Sequence, residues 1–87
     1  GDIVRASRAG EVVFADFLNG YGFTAIIDHQ DGYSSVYADN ASLKVKLGDQ
    51  VSKNDPIAHV GKKGGAASVH FEIRKHSVAD NPLYYLP

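Results

Sequence analysis

Ser68-Val69-His70-Phe71-Glu72-Ile73-Arg74 alternates apolar and polar residues almost without a break. A β-strand turns successive side chains to opposite faces, so Val69, Phe71 and Ile73 share one face and His70, Glu72 and Arg74 the other. The first set is expected in a core, the second along a surface or groove. Outward from this stretch the same period recurs. Upstream, Gly61 to Ala67 is basic and glycine-rich and reads as a flexible loop. Ile57 to Val60 reads as a strand behind the turn Lys53-Asn54-Asp55-Pro56. Phe23 to His29 and Tyr33 to Asp39 are β-branched and aromatic runs joined by Gln30-Asp31-Gly32. Asp-Gly suits the turns of tight hairpins, so these two runs are expected to pair antiparallel. Glu11 to Phe17 follows Gly10 as a further strand, and Asn19-Gly20-Tyr21-Gly22 turns the chain, its glycines permitting positive φ. Ile3-Val4 opens a first short strand. Asn40 to Leu43 reads as a connection with room for one helical turn, and Val45 to Val51 turns at Gly48-Asp49. Asn81 to Pro87 is an extended tail whose aromatic residues are expected to staple the chain end to the body.

No stretch of ten or more residues keeps a 3.6-residue period, so little or no helix is expected. Many short strands imply an all-β fold, an antiparallel sandwich or partly open barrel. Phe14, Ile26, Val36, Val60, Phe71 and Ile73 are the expected core.

The chain has 87 residues, enough for one domain. Its 44% hydrophobic and 22% charged residues are ordinary for a globular protein. A net charge of -1 gives no electrostatic case for nucleic acid or an anionic membrane. No apolar run approaches the roughly 18 residues of a membrane span, and no signal peptide is visible. The absence of Cys removes disulfides and thiolate metal sites together. The absence of Met leads to the expectation that the chain is cut from a longer protein.

Three stretches, taken in order, resemble the M23 (LytM-type, lysostaphin-type) zinc peptidase domain. The first runs from the Gly10 strand through Gly20-Tyr21-Gly22 to Ile26-Ile27-Asp28-His29 and Asp31-Gly32-Tyr33-Ser34. The second is Val45 to Val51 with Pro56-Ile57 and Val60-Gly61. The third is His70 to Arg74 followed by Asn81-Pro82. The resemblance implies one LytM-type domain over residues 1–87. Such peptidases take a His and an Asp zinc ligand from an early segment, which would fall before Gly1. They take a third ligand from the second His of a His-x-His, and two more histidines surround the attacking water. Here Tyr37-Ala38-Asp39 stands where a Tyr-Ala-His-like sequence is expected, and Ser68 stands at the first position of the His-x-His; His70 remains. Serine is no base near neutral pH, and Asp39 lacks the neutral-to-cationic change that steadies a developing oxyanion. The resemblance therefore implies a catalytically degenerate homologue, with no catalytic residues, no metal and no cofactor.

Degenerate LytM domains of the EnvC/NlpD group activate N-acetylmuramoyl-L-alanine amidases in bacterial division, and Ala15 to Gly22 resembles the turn region on the EnvC side of that group. This likeness implies a non-catalytic activator in the periplasm, at the division site. It would hold a periplasmic amidase in its inactive groove, with peptidoglycan as a second candidate contact and no nucleic acid or membrane contact. The groove residues are Tyr21, Thr24, Asp39, Ser68, His70, Glu72 and Arg74. Plainer roles stand beside these: a turn aromatic for Tyr21, a hydrogen-bonded strand histidine for His70, an ordinary ion pair with Glu72 for Arg74. His29, His59 and His76 are expected at the surface, and Lys62-Lys63-Gly64-Gly65 as a solvated loop. Two other functions stay open: an active zinc endopeptidase that gains upstream ligands in a longer protein, and a biotinyl/lipoyl-like barrel-sandwich domain, suggested by Val45 to Val51 with Pro56-Ile57. The latter needs a lysine at an exposed hairpin tip, and the Asp31-Gly32 hairpin has none.

Overall fold

Among the described residues, eight strands pair antiparallel: β1 (Ile3–Arg5), β2 (Gly10–Leu18), β3 (Gly22–Asp28), β4 (Tyr33–Leu43), β5 (Gln50–Val51), β6 (Pro56–Lys63), β7 (Ala66–Ser68) and β8 (His70–Lys75). The computed structural model describes residues 2–63 and 66–75, with backbone alone for 62, 63 and 66–68. Gly64, Gly65, His76 and the Asn81–Pro87 tail lie outside the described residues, and the expectations placed on them stop there.

The sheet runs β1-β6-β4-β3-β2-β5. Long β4 organises it. One edge of β4 pairs with β3; its other edge takes β8 along Tyr33–Ala38 and β6 along Asn40–Leu43. The β3–β4 hairpin forms where Asp-Gly foretold it: Gly32 takes φ 90°, and the His29 N–H donates to the Tyr33 carbonyl at 3.0 Å. At the β2–β3 turn Gly20 and Gly22 take φ 86° and 71°.

Register sorts the side chains. Val12 faces Ile27, and Ala15 and Tyr37 flank Ala25. This face joins Ala6, Val51, Ile57 and Ala58 in the main core, with Val4, Leu43 and Val45 packed around it. Burying an aliphatic side chain of this size is worth about 1.5–3 kcal/mol. On the opposite face Phe14, Ile26, Val36 and Glu72 form a row across four strands, with Ala38 opposite His70 and Ser34 opposite Arg74. Ile26, Val36 and Ala38 are buried there too.

Several expectations are corrected. Phe71 and Ile73 are 49% and 52% exposed rather than core. They share the face of Tyr37 and Ser35, but β8 lies beside β4, off the main strand path, so Phe71 meets the Tyr37 ring (centroids 5.2 Å apart) and leaves half its surface open. Phe14 and Val60 are half-buried. Asn40 to Leu43 holds no helical turn, because β6 pairs with that stretch and draws it into the sheet. Lys62-Lys63 and Ala66-Ala67, expected in a loop, are strand residues, because β7 folds back antiparallel on β6.

Candidate functional site

On the face carrying His70, three polar side chains of β8 bind one another. His70 Nε2 contacts Glu72 Oε2, and Arg74 Nη2 contacts Glu72 Oε1, so one carboxylate serves two basic groups. Alternation puts the three in a row, and pairing with Ala38, Val36 and Ser34 holds the row against β4. Burial raises the Glu72 carboxyl, but the hydrogen bonds from His70 and Arg74 outweigh it and hold the group below its ordinary range. All three side chains are half-buried.

Tyr21 closes one end. Its ring lies 6.4 Å from that of His70, inclined at 65°. The turn places it there, because the Tyr21 N–H donates to the Leu18 carbonyl at 2.8 Å and the Tyr21 carbonyl accepts the Asp39 N–H at 2.7 Å. Asp39 follows His70's partner Ala38 and takes φ 64°, a left-handed conformation that aspartate tolerates better than most residues. The two positions resembling replaced histidines meet through Gly61. Ser68 pairs with Gly61 along the backbone, and a Cβ on Gly61 would stand 2.2 Å from the Asp39 carbonyl oxygen. Tyr21, Asp39, His70, Glu72 and Arg74 are thus neighbours, with the Ser68 backbone beside them.

Thr24 does not join them. It is fully buried, and its hydroxyl donates to the Gly22 carbonyl at 3.2 Å, so it offers no surface to a partner. The sequence reading also missed His29. Rather than lying on the surface it is 9% exposed, with both ring nitrogens hydrogen-bonded, to Ala9 and Ser35. Its place immediately after Phe23–Asp28, on the same alternation as Ala25 and Ile27, is the signal that could have found it.

The zinc of M23 peptidases needs converging ligands. Among the described residues no group of three or more His, Asp and Glu side chains is placed to hold a metal. His70 has its Nε2 on Glu72, with the Arg74 guanidinium on the same carboxylate. The described side chains do not fit the ion.

The model of Peptidase family M23 matches residues 1–82. The murein hydrolase activator EnvC of Escherichia coli K12 is 42% identical over 88 residues, covering 99% of this chain and 21% of EnvC. The murein hydrolase activator NlpD of the same organism is 40% identical over 89 residues, covering all of this chain and 24% of NlpD. The chain thus spans about a quarter or less of these relatives. In solved structures, a chain of the SpoIIIAH–SpoIIQ complex superposes with a TM-score of 0.78 at 39% identity, covering 97% of this chain and 62% of that one.

Proposed function

The chain belongs to peptidase family M23, and from that premise we propose that it is a non-catalytic LytM-type domain that activates murein hydrolases by binding them. The observation that carries the reading is the polar row of β8. The one histidine matching a zinc ligand is engaged by Glu72, and Asp39 and Ser68 stand where water-activating histidines would be needed. Relatives named murein hydrolase activators, matched over the whole chain, support it. A solved neighbour at 39% identity that comes from a protein complex fits a binding role.

The partner we assign is a periplasmic N-acetylmuramoyl-L-alanine amidase, met in the cell envelope at the division site, with residues 1–87 forming one domain of a longer protein. A segment of the amidase would lie across Tyr21, His70, Glu72 and Arg74. These side chains stand on paired strands and a hydrogen-bonded turn, so little ordering cost attends docking. Aromatic and arginine side chains in such places dominate binding energy. Family membership removes the ground for a biotinyl/lipoyl-like carrier.

The test mixes the protein with an amidase and dye-labelled sacculi. Dye release is expected to rise with added protein, and to need about tenfold more of a Tyr21→Ala or Arg74→Ala variant, the change that 1.4 kcal/mol of lost binding produces. Absence of stimulation by the unaltered protein sinks the reading. Stoichiometric zinc together with cleavage of wall peptide cross-links by the intact parent protein would establish the endopeptidase instead.

A further inference from the structure

The turn that carries Tyr21 has a chemistry of its own. It reads Leu18-Asn19-Gly20-Tyr21 and is closed by the Tyr21 N–H donating to the Leu18 carbonyl at 2.8 Å. Gly20 takes φ 86°, as a type II turn requires at that place. Asn19 and Gly20 are both exposed. Among the described residues no hydrogen bond holds the Asn19 carboxamide or the Gly20 N–H. Nothing stands within 4 Å of where a Cβ on Gly20 would project. Asparagine is a thermolabile residue, and a glycine after it leaves the next amide nitrogen unshielded.

The chemistry needs water alone. The Gly20 backbone nitrogen forms a bond to Asn19 Cγ and loses its proton. The Cγ–Nδ2 bond breaks, and Nδ2 takes up that proton through water and leaves as ammonia. Asn19 and Gly20 then share a cyclic imide. Water adds to one of its two carbonyls, the ring nitrogen regains a hydrogen, and the new acid gives its proton to the ammonia. Opening at Cγ gives aspartate. Opening at the main-chain carbonyl carbon gives isoaspartate, whose main chain runs through Cβ and Cγ and is longer by a carbon. Either way a water is consumed, ammonium leaves and the turn gains a negative charge.

The comparable sites are guarded. Asp31-Gly32 has the same form at the β3–β4 turn, but Arg8 pairs with its carboxylate and the Tyr33 N–H donates to it at 3.1 Å. The Arg8 hydrogen bond holds this carboxyl below its ordinary range, and an ionised carboxylate resists attack by an amide nitrogen. Asn40 is 5% exposed, and its Nδ2 donates to the Phe23 and Tyr37 carbonyls at 2.9 and 3.0 Å. Asn54 precedes Asp55, whose N–H donates to the Ser52 carbonyl at 3.0 Å and whose side chain stands beside that nitrogen.

We propose that Asn19-Gly20 is a self-modifying site whose isoaspartyl product releases Tyr21 from the end of the polar row. The Tyr21 carbonyl accepts the Asp39 N–H at 2.7 Å, and the Tyr21 ring lies 6.4 Å from that of His70. Leu18 and Gly22 are paired across the ladder, so the extra carbon has to be taken up between them, where Tyr21 stands.

The test holds the full chain and an Asn19→Gln variant in warm, mildly alkaline buffer, until a parallel sample unfolded in guanidinium has lost its Asn19 amide. Peptide mass spectrometry reads each asparagine, and electron-transfer fragmentation tells isoaspartate from aspartate. In the folded chain Asn19 should convert, mostly to isoaspartate, while Asn40 and Asn54 stay amides and Asp31 keeps its linkage. Hydrogen exchange on the aged chain should show the Asp39 amide losing about tenfold of its protection, the scale of one lost hydrogen bond. Asn19→Gln, whose longer side chain closes the ring far more slowly, should keep both its amide and its protection. Aged protein should also need about tenfold more to release dye, as Tyr21→Ala does; this arm alone rests on the docking role proposed above. Fresh protein that fails to stimulate counts against that role, and mass and exchange then decide the modification. An Asn19 that stays an amide in the folded chain, or an isoaspartyl chain in which Asp39 keeps its protection, overturns the proposal.

Discussion

Glu72 is where one side chain decides the most. Its folded carboxyl lies below its ordinary range, so it contributes stability above the unfolded value, and that contribution is lost as pH falls through the lower folded value. Acid titration followed by denaturant melts should therefore show a loss of stability on the acid side that is smaller in Glu72→Gln. Because the row is partly exposed, at neutral pH that variant should lose only about 0.2–1 kcal/mol. Its binding to an amidase should fall much further, since His70 and Arg74 lose the group that aims them. A denaturant melt beside a pull-down separates the two. Gly61 is the opposite case, with no side chain and no tolerance for one. Gly61→Ala would drive a Cβ into the Asp39 carbonyl, which is backbone and cannot swing aside. Such crowding costs about 1–3 kcal/mol, read as a lower urea midpoint.

At the scale of elements, β8 shows what alternation tells and what it withholds. Its period predicted that His70, Glu72 and Arg74 would share a face, and they do. It did not tell which face would be covered, because that depends on the strands set beside β8 and not on β8 itself. Phe71 and Ile73 look like core and stand half open. Ile73→Thr should accordingly shift stability by no more than about 0.5 kcal/mol in a thermal melt, where a core isoleucine would cost several times that. The β3–β4 hairpin was legible because Asp31-Gly32 acts through its own backbone. The continuation of β4 to Leu43 was not, because its partner strand arrives only at Pro56. His29 escaped for the same reason: one of its bonds reaches back to Ala9 and the other forward to Ser35.

Across the whole molecule, an 87-residue chain has little core to lose. Domains near this size bury only about 60% of their unfolded surface. Ile27 is fully buried in the main cluster with Val12, Tyr37 and Ile57. Ile27→Ala should cost about 2–5 kcal/mol, a large share of a total near 5–15 kcal/mol, and should be visible as a broad loss of amide protection in hydrogen exchange. The family pattern was readable because turns, glycines and strand spacing are local. The placing of Ser68, His70 and Asp39 was not readable in the same way, because β7, β8 and β4 bring them near one another across Gly61 only in the folded sheet.

The shared carboxylate of Glu72 has one more consequence. With His70 neutral, the negative charge of Glu72 and the positive charge of Arg74 cancel within a single strand. A surface whose charges are balanced before contact draws few counterions, so few are released when it is covered. Association through this row should then vary only weakly as ionic strength is raised, and a steep dependence would place the decisive charges elsewhere on the domain.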